Sequence, residues 1–423
     1  MTDSVPLDTI AGIIRRHGTT RRGHIAVRCG NVTLTYGELD TRSNRVANAL
    51  ITAGLGRQAR IAVLAGNCPE FFELWFGAVK ANAVTVPVHL RYAAAAVATI
   101  VNDAEAELLF VGAEFHALVE TVERELPHLK AIIAIDGGHA RWPAYAGWME
   151  PHAASDPELP LAPDDCALQV YTDDSDVEPK GAQLSHAGLI QMFAVALAAF
   201  GEWHEGDVSI VCVPMFHLTG CGWAMHGLYC GAENVLMRHF DAGECLRLLG
   251  RRRITKALFV AHMIVQMLQH RSCDDTDFSA LELVVYGSTL TPRYVLDCAL
   301  RTFGCDFAQV FGLPGITGPI TSLSPQDHRS GESERLKSYG RPVADLELRI
   351  VDGAGSELQP GQVGEVICRA PRLMLAYWNQ PEATARALRD GWFHTGHFGY
   401  LDADGYLHIY ESYWQTARRF WQI

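Results

Sequence analysis

Near the middle of the chain the sequence reads Val170-Tyr171-Thr172-Asp173-Asp174-Ser175-Asp176-Val177-Glu178-Pro179-Lys180-Gly181. The apolar run that leads into this stretch, 166–171, is typical of a buried strand. The apolar run that follows it, about 185–200, is typical of a helix. The stretch is therefore predicted to be a loop that joins a strand to a helix.

The frame of this loop resembles the phosphate-binding loop of the adenylate-forming superfamily, which includes acyl-CoA synthetases, luciferases and peptide-synthetase adenylation domains. The usual loop there reads aromatic-Thr-Ser-Gly-Thr-Thr-Gly-x-Pro-Lys-Gly. This chain keeps six of the positions, namely Tyr171, Thr172, Ser175 (in place of Thr), Pro179, Lys180 and Gly181. Asp174 and Val177 stand where the family has glycine, and two hydroxyl positions are also replaced.

The acidic side chains of the loop oppose ATP binding. A phosphate loop needs glycines that allow close backbone approach, with N–H groups and a Lys that supply positive potential. Here Asp173, Asp174, Asp176 and Glu178 surround Lys180. Like charges about 4–5 Å apart repel by roughly 3–4 kcal/mol at an effective dielectric near 20. We expect the loop not to hold ATP in the family's manner. Two alternatives stay open: a solvated acidic loop, and a hard-cation site built on the alternating carboxylates.

Two further motifs of the family also lack their nucleotide contacts. The sequence 311–315 stands where the family has Tyr-Gly-x-Thr-Glu. Pro314 replaces the Thr that touches the AMP phosphate, and Gly315 replaces the Glu that helps to hold Mg²⁺. His397 stands where the family has the Asp that accepts both ribose hydroxyls, and a neutral His has a single nitrogen lone pair. These substitutions predict a weakened nucleotide site.

The carboxyl-terminal part of the resemblance differs as well. Residues 406–415 lie over the family's hinge consensus, Gly-Arg-x-Lys-Asp, and keep none of its four residues. The family usually continues for about 100 residues more, as a lid of ordinary small-domain size. That lid carries the catalytic Lys for adenylation and one wall of the pantetheine tunnel. Because this chain ends at Ile423, we expect it to work without the lid.

The acyl-pocket motif of the family, Pro-x-Phe-His, is intact at 214–217, and 287–292 resembles the turn on the adenine side. The residues predicted to line the pocket are Phe216, His217, Gly222, Tyr286, Gly287, Ser288, Phe311 and Gly312. His217 is interpreted as a pocket-wall residue, with a second interpretation as a general base or hydrogen-bond donor, because its ordinary pKa lies near neutrality. It is the predicted catalytic residue.

Histidine and cysteine recur every four or five residues after this motif. The set is Cys212, His217, Cys221, His226 and Cys230. Zinc sites usually pair ligands two to four residues apart, and thiols in apolar sequence are typically buried. Buried packing is the favoured interpretation, and no metal site is predicted.

The rest of the chain predicts an α/β fold of the acyl-CoA synthetase type. A strand at Ile61–Leu64 precedes a helix at Pro69–Lys80, for which Asn67 is the expected N-cap. Strands at 83–88 and Leu108–Val111 follow, and such alternation implies mostly parallel sheets flanked by helices. After Asp327, short strands and turns resemble the family's small β-barrel subdomain. The predicted division is 1–325 for the α/β core with loop and pocket, 326–410 for the barrel and 411–423 for a hinge remnant.

Composition excludes several classes of function. The 423 residues include 35 Lys and Arg against 48 Asp and Glu, and the net charge of −13 argues against a nucleic-acid or anionic-membrane surface. The eleven Cys form no CxxC pair and fit reduced thiols rather than a disulfide framework. The start of the chain is polar, and the longest apolar run is too short to span a bilayer. A cytoplasmic location is predicted.

Three hypotheses for the function follow. The leading one is an ATP-independent member of the family that binds an acyl or aryl group and acts on an activated acyl thioester, by hydrolysis, transfer or cyclisation. It needs neither ATP nor Mg²⁺, and its substrate is an acyl-CoA or an acyl-carrier thioester. The second is a catalytically silent scaffold that pairs with an active relative or a carrier protein, as a homodimer or heterodimer. The third is an ATP-dependent acid–CoA ligase.

Overall fold

The computed structural model describes residues 7–172, 179–204, 206–287, 291–331 and 334–410. The strands in these ranges are, in chain order, β1 (Ile25–Cys29), β2 (Val32–Thr35), β3 (Arg60–Leu64), β4 (Val84–Pro87), β5 (Ala106–Val111), β6 (Ala131–Ala134), β7 (Cys166–Tyr171), β8 (Gly181–Ser185), β9 (Val208–Val211), β10 (Glu233–Leu236), β11 (Lys256–Val260), β12 (Leu283–Gly287), β13 (Asp306–Leu313), β14 (Gly318–Leu323), β15 (Arg341–Pro342), β16 (Glu347–Val351), β17 (Gly364–Arg369), β18 (Leu388–Arg389), β19 (Trp392–Leu401) and β20 (Leu407–Tyr410).

The α-helices of the same ranges are α1 (Ile10–Thr20), α2 (Tyr36–Thr52), α3 (Pro69–Lys80), α4 (Ala94–Asp103), α5 (His116–Val122), α6 (Tyr145–Met149), α7 (His186–Phe200), α8 (Leu218–Cys230), α9 (Ala242–Arg251), α10 (Ala261–Gln269), α11 (Arg293–Phe303), α12 (Pro325–Ser330) and α13 (Pro381–Ala387). Local signals set several of their first turns. Thr35 and Glu38 form a reciprocal capping box at α2, and Pro69 occupies the first turn of α3.

Two of the sheets are mostly parallel. One has the order β15-β14-β13-β12-β11-β9-β10-β1-β2, with parallel neighbours from β13 to β1 and antiparallel strands at both edges. The other has the order β6-β5-β3-β4-β7-β8 and is parallel from β6 to β7. The predicted class, mostly parallel sheets flanked by helices, is confirmed.

Helix α3 lies between these two sheets. It contacts β4 in one sheet and β1 in the other, and it is buried along its whole length. A helix covered on every side needs apolar residues around its full circumference, which Phe72, Trp75 and Phe76 provide with no exposed surface. The buried Glu73 carboxylate is paired with Arg42 at 2.6 Å.

The smaller sheet is antiparallel, with the order β16-β17-β19-β18 and with β20 paired to β19. Its strands lie in the range predicted for the β-barrel subdomain. Arg341–Pro342 belongs instead to the large sheet, because it pairs with β14. The stretch 374–378, which the sequence resemblance assigned to the barrel, runs instead beside β8. It forms an isolated bridge between Tyr377 and Ala182 and backbone hydrogen bonds with Gly181 and Gln183.

Across the described ranges, no helix has both the length and the apolar character that crossing a bilayer requires.

Residue His186 couples the start of α7 to the start of α1. Its Nδ1 accepts the backbone N–H of Ile10 at 3.1 Å, and its side chain is buried. Burial lowers the pKa of His186 to about 4. The unfolded chain takes up this proton near the ordinary value of about 6.5. The folding free energy that depends on neutral His186 is therefore present above about pH 6.5 and is lost as the pH falls toward 4.

We expect the free energy of unfolding to fall between pH 7 and pH 5, and the change His186→Asn to reduce that slope. Asn cannot titrate, and its side-chain oxygen can accept the same N–H. The reduction should reach at most about 1.4 kcal/mol per pH unit, the limit for one proton. Urea unfolding at both pH values measures it. His24→Asn, at an exposed position, is the control, and equal slopes in the His186 variant and the wild type would contradict the assignment.

Candidate functional site

A cavity of about 780 Å³ lies between the two parallel sheets. Its wall includes Pro87 and Tyr171 from one sheet, and Cys212, Val260 and Gly312 from the other. Each of these residues lies at or near the carboxyl end of its strand, the edge at which open α/β folds bind their ligands. The structure brings these sequence-predicted residues to the wall: Thr172, Phe216, His217, Gly222, Gly312, Pro314, Gly315 and His397.

Three other residues predicted for the pocket, Tyr286, Gly287 and Phe311, are not among those that line this cavity. The hydroxyl of Tyr286 is buried against His328, with Nε2 at 2.9 Å. Gly287 packs against the neighbouring strand, because a Cβ there would lie 2.2 Å from the carbonyl oxygen of Val310. The ring of Phe311 packs edge-on against His397, behind the wall. Ser288 lies outside the described residues.

Most of the predicted phosphate loop, Asp173, Asp174, Ser175 and Asp176, also lies outside the described residues. The two ends of the loop are joined. The N–H of Thr172 donates to the carbonyl of Lys180 at 3.0 Å, and the N–H of Lys180 donates to Thr172 Oγ1 at 3.2 Å. The Lys180 ammonium lies 5.6 Å from the ring centre of Tyr377, a cation–π distance. The charge of Lys180 is thus partly engaged by a residue of the cavity wall.

Asn67 fixes the loop that carries the pocket motif. The prediction that it caps α3 is wrong, since the N-cap is Cys68 and makes no side-chain bond. Its side chain instead donates to the carbonyl of Val213 at 3.1 Å and accepts the N–H of Met215 at 2.8 Å. Both bonds satisfy backbone groups of a buried loop. These two hydrogen bonds cannot be predicted from local capping patterns, because the partners lie almost 150 positions away in the sequence.

His217 is the N-cap of α8. Its Nδ1 accepts the N–H of Thr219 at 3.1 Å. A neutral imidazole that accepts at Nδ1 carries its proton on Nε2. The side chain lines the cavity, and Nε2–H is then a hydrogen-bond donor. The position on the wall agrees with the first interpretation of His217. Within the second interpretation, a proton on Nε2 is compatible with a donor rather than a general base.

His89 lies beside this motif and was missed by sequence reasoning. Its ring centre lies 4.3 Å from that of Phe216 and 4.8 Å from that of Tyr92. Burial, together with the nearby His217 and Arg91, lowers the pKa of His89 to about 4, so the ring is neutral near pH 7. Its place directly after β4 was the available signal, because ligand-binding residues concentrate in loops that follow the strands of such sheets.

Two helices form the apolar wall. One face of α8 presents Leu218, Gly222 and His226 to the cavity, at the four-residue spacing of a helix surface. From α7, Met192 and Phe193 face the same space. A Cβ at Gly222 would lie 3.3 Å from the Met192 methyl, so the two helices are in close contact here.

Most of the histidines and cysteines that recur in this part of the sequence lie on α8. His217, Cys221, His226 and Cys230 all belong to α8 or its N-cap. Within the part of the chain that the structure describes, no three His, Cys, Asp or Glu side chains are grouped so that they could hold a metal ion.

The cavity wall also includes Pro314, Gly315 and His397, the residues that the sequence resemblance aligns with nucleotide contacts. The space in which a side chain at Gly315 would lie is occupied by Phe393, because a Cβ at this position would lie 2.2 Å from Cζ of that ring. Pro314 begins a short 3₁₀ turn, Pro314–Ile316, and offers no hydroxyl. The His397 ring packs against Phe311, and its backbone N–H donates to Thr395 Oγ1 at 3.0 Å. Packed aromatic and imino-acid side chains therefore form this part of the cavity wall.

A buried arginine holds this wall in place. Arg372 has no exposed surface and pairs with Asp345 through two bonds of 3.0 Å. Its guanidinium also donates to the carbonyls of Ile316 and Pro319, at 2.7 and 2.6 Å. The loop between the 3₁₀ turn and β14 is thus tied to the chain that precedes α13. No sequence motif pointed to Arg372.

Comparisons with known proteins agree with this fold. The model of the family described as AMP-binding enzyme matches residues 14–378. A fatty acid–acyl-carrier-protein ligase, ScoC, from Streptomyces coeruleorubidus is 36% identical over 391 residues, which cover 91% of this chain and 73% of that protein. A feruloyl-CoA synthase from Amycolatopsis sp. is 31% identical over 388 residues, covering 91% of this chain and 74% of that protein.

Solved structures show the same architecture. The inhibitor-bound N-terminal domain of FACL13 from Mycobacterium tuberculosis superposes with a TM-score of 0.89 at 24% identity, over 95% of this chain and 99% of that one. A putative long-chain-fatty-acid CoA ligase from Rhodopseudomonas palustris has a TM-score of 0.85 at 27% identity, over 95% of this chain and 98% of that one. The chain therefore belongs to the AMP-binding enzyme family.

Proposed function

We propose that this chain binds an acyl or aryl group in the cavity and acts on it as an activated thioester, of CoA or of an acyl-carrier protein, without using ATP. The observation that carries the proposal is the packing of Phe393 into the side-chain space at Gly315. A carboxylate that would bring Mg²⁺ to a nucleotide cannot be placed there without displacing this ring. This packing supports the proposal that no metal-binding carboxylate acts at this position.

The acyl side of the cavity supports the binding half of the proposal. Its wall is dominated by aliphatic, sulfur-containing and aromatic side chains, among them Met192, Phe193, Trp223, Leu258 and Met263. Small-molecule sites usually combine such a lining with a few polar groups that fix orientation. An acyl chain or an aromatic ring fits this chemistry, and burying its carbon atoms supplies about 25 cal/mol per Å².

His217 supplies the polar group for the reacting end. Its Nε2–H can donate to the carbonyl oxygen of a thioester, and such a bond strengthens as negative charge develops on that oxygen. The free energy that drives acyl transfer is already present in the thioester bond, so activation of the acyl group by ATP is not needed. Hydrolysis, acyl transfer and cyclisation differ in the nucleophile that then attacks the carbonyl.

A second candidate is ATP-dependent ligation of a carboxylic acid to CoA or to a carrier protein. It is favoured by the 36% identity to ScoC, named as a fatty acid–acyl-carrier-protein ligase, and by the 31% identity to the feruloyl-CoA synthase. The two candidates differ in one measurable requirement, the release of pyrophosphate from ATP.

We expect no acid-dependent pyrophosphate release when the protein is given ATP, Mg²⁺ and a panel of fatty and aromatic acids. With decanoyl-CoA and no ATP, we expect the protein to turn over the thioester. Chromatography of the free CoA that is released measures this turnover. His217→Ala should slow this turnover by roughly 10²–10³, the usual effect of losing one donor to a developing oxyanion.

ScoC, assayed in parallel, is the control for the pyrophosphate measurement. His24→Ala, at an exposed position, is the matched control for the His217 variant. Acid-dependent pyrophosphate release above the background without acid would establish the ligase instead. Absence of both activities would leave the scaffold hypothesis, and unchanged turnover in His217→Ala would remove His217 from the catalytic role.

A further inference from the structure

The side chain of Met192 lies against two glycines of the cavity wall. Met192, Gly222 and Gly318 belong to α7, α8 and β14, and all three line the cavity. A Cβ at Gly318 would lie 2.6 Å from both Cγ and Sδ of Met192, which is a severe overlap. A Cβ at Gly222 would lie 3.3 Å from the Met192 methyl carbon, which is a tight contact. Met192 thus fills the space beside both glycines.

These contacts confine a side chain that is flexible in most settings. Methionine is unbranched and ordinarily adapts its shape to irregular gaps. Here its γ-carbon and sulfur lie against β14 and its methyl lies against α8, and the residue is 5% exposed. Gly318 has a φ of +110°, which residues with a Cβ rarely adopt. The backbone of β14 therefore approaches Met192 at a position that favours glycine.

The length of the Met192 side chain determines how much room this part of the wall leaves for a ligand. Protein interiors are close-packed, and shortening a core side chain leaves a void because its neighbours relax only partly. Neither Gly222 nor Gly318 has side-chain atoms that could turn into such a void. Because all three residues line the cavity, the void would be continuous with it.

We infer that Met192 is a specificity-determining residue, which sets the largest acyl or aryl group that the cavity accepts. The inference rests on the binding half of the proposed function, in which such a group occupies this cavity. In the wild type, ligand carbons that reach this part of the wall overlap Met192. In a shortened variant the same carbons would fill the void and gain the contacts that its lining atoms lack.

Isothermal titration calorimetry of the wild type and Met192→Ala with two series of acids tests the inference. One series lengthens the straight chain from eight to fourteen carbons, and the other adds methyl branches to decanoic acid. The wild-type limit is the acid beyond which affinity stops rising. Because Met192→Ala removes the γ-carbon, the sulfur and the methyl, we expect this limit to move by about two or three carbons in at least one series.

An acid just beyond the wild-type limit should bind to Met192→Ala roughly 10- to 100-fold more tightly than to the wild type, with both affinities taken relative to decanoic acid. One methylene that does or does not fit an apolar pocket changes binding by about this factor. If Met192→Ala does not fold, Met192→Val is a milder truncation and should shift the limit in the same direction by a smaller amount.

Met225→Ala is the matched control. Met225 belongs to α8 and has no exposed surface, but it is not among the residues that line the cavity. The same truncation there should leave the ranking of the acids unchanged. Met192→Leu, which nearly conserves volume, should also keep the wild-type ranking.

The same size limit in Met192→Ala and the wild type, in both series, would overturn the inference, because the wall would then close over the void or be limited elsewhere. An equal shift in Met225→Ala would overturn it as well, since the effect would not depend on the cavity wall. If no acid binds to the wild type, the proposed function loses its binding half, and the inference fails with it.

Discussion

Arg372→Ala should lower the free energy of unfolding by about 3–5 kcal/mol, the range expected when one partner of a buried ion pair is removed. The guanidinium has no exposed surface and pairs with Asp345, whose side chain is 13% exposed. Its removal would leave this carboxylate without its cation. The carbonyls of Ile316 and Pro319 would also lose their donors, and unpaired buried acceptors add to the loss.

The matched control is Arg369→Ala, nearby in the chain. Arg369 also forms an ion pair, with Glu347 at 2.7 Å, but both side chains are about half exposed. Exposed pairs are worth at most about 1 kcal/mol, so this variant should stay close to the wild type. Urea unfolding followed by circular dichroism measures both variants. A loss below about 1 kcal/mol for Arg372→Ala would show that water or a shifted side chain replaces the guanidinium.

The change Gly222→Leu should abolish binding of decanoic acid, with a loss of roughly 100-fold or more. A Cβ alone would lie 3.3 Å from the Met192 methyl, and the outer carbons of Leu must then enter the cavity that α8 borders. Overpacking of 1–3 kcal/mol already corresponds to about 5- to 150-fold in Kd, and direct overlap with the ligand adds to it. Leu favours the helix over Gly by roughly 1 kcal/mol, which offsets part of the strain on folding.

The same substitution at Gly147 is the matched control. Gly147 lies in helix α6, at an exposed position where an added Cβ would have no neighbour within 4 Å. Calorimetry should therefore give the same Kd for Gly147→Leu as for the wild type. Wild-type affinity in Gly222→Leu would mean that the acyl group does not pass this face of α8.

Several elements could be located from the sequence because their signals are local. The helix Pro69–Lys80 and the strand Cys166–Tyr171 have the bounds that the sequence pattern indicated. Proline in the first turn and an unbroken apolar run act within the segment itself. The pocket motif at 214–217 was recognisable for the same reason, and Phe216 and His217 do line the cavity.

The long-range contacts that complete the site could not be predicted from local sequence signals. Asn67 was assigned to a local cap and instead bonds the loop that carries Met215. Tyr286 was assigned to the pocket, but its hydroxyl turns to His328. Each side chain had a plausible neighbour in sequence, and a distant partner competed successfully for it. Which partner a polar group finds depends on how the sheets and helices pack, since every buried polar group must be satisfied.

The sequence by itself determined the α/β class and the order of the main elements, because these depend on residue type and local pattern. Only the tertiary structure decided that Phe393 fills the space at Gly315 and that Arg372 ties down the adjoining loop. The physical reason is distance along the chain. Steric exclusion and hydrogen bonding act over a few ångströms in space, between segments that no local pattern connects.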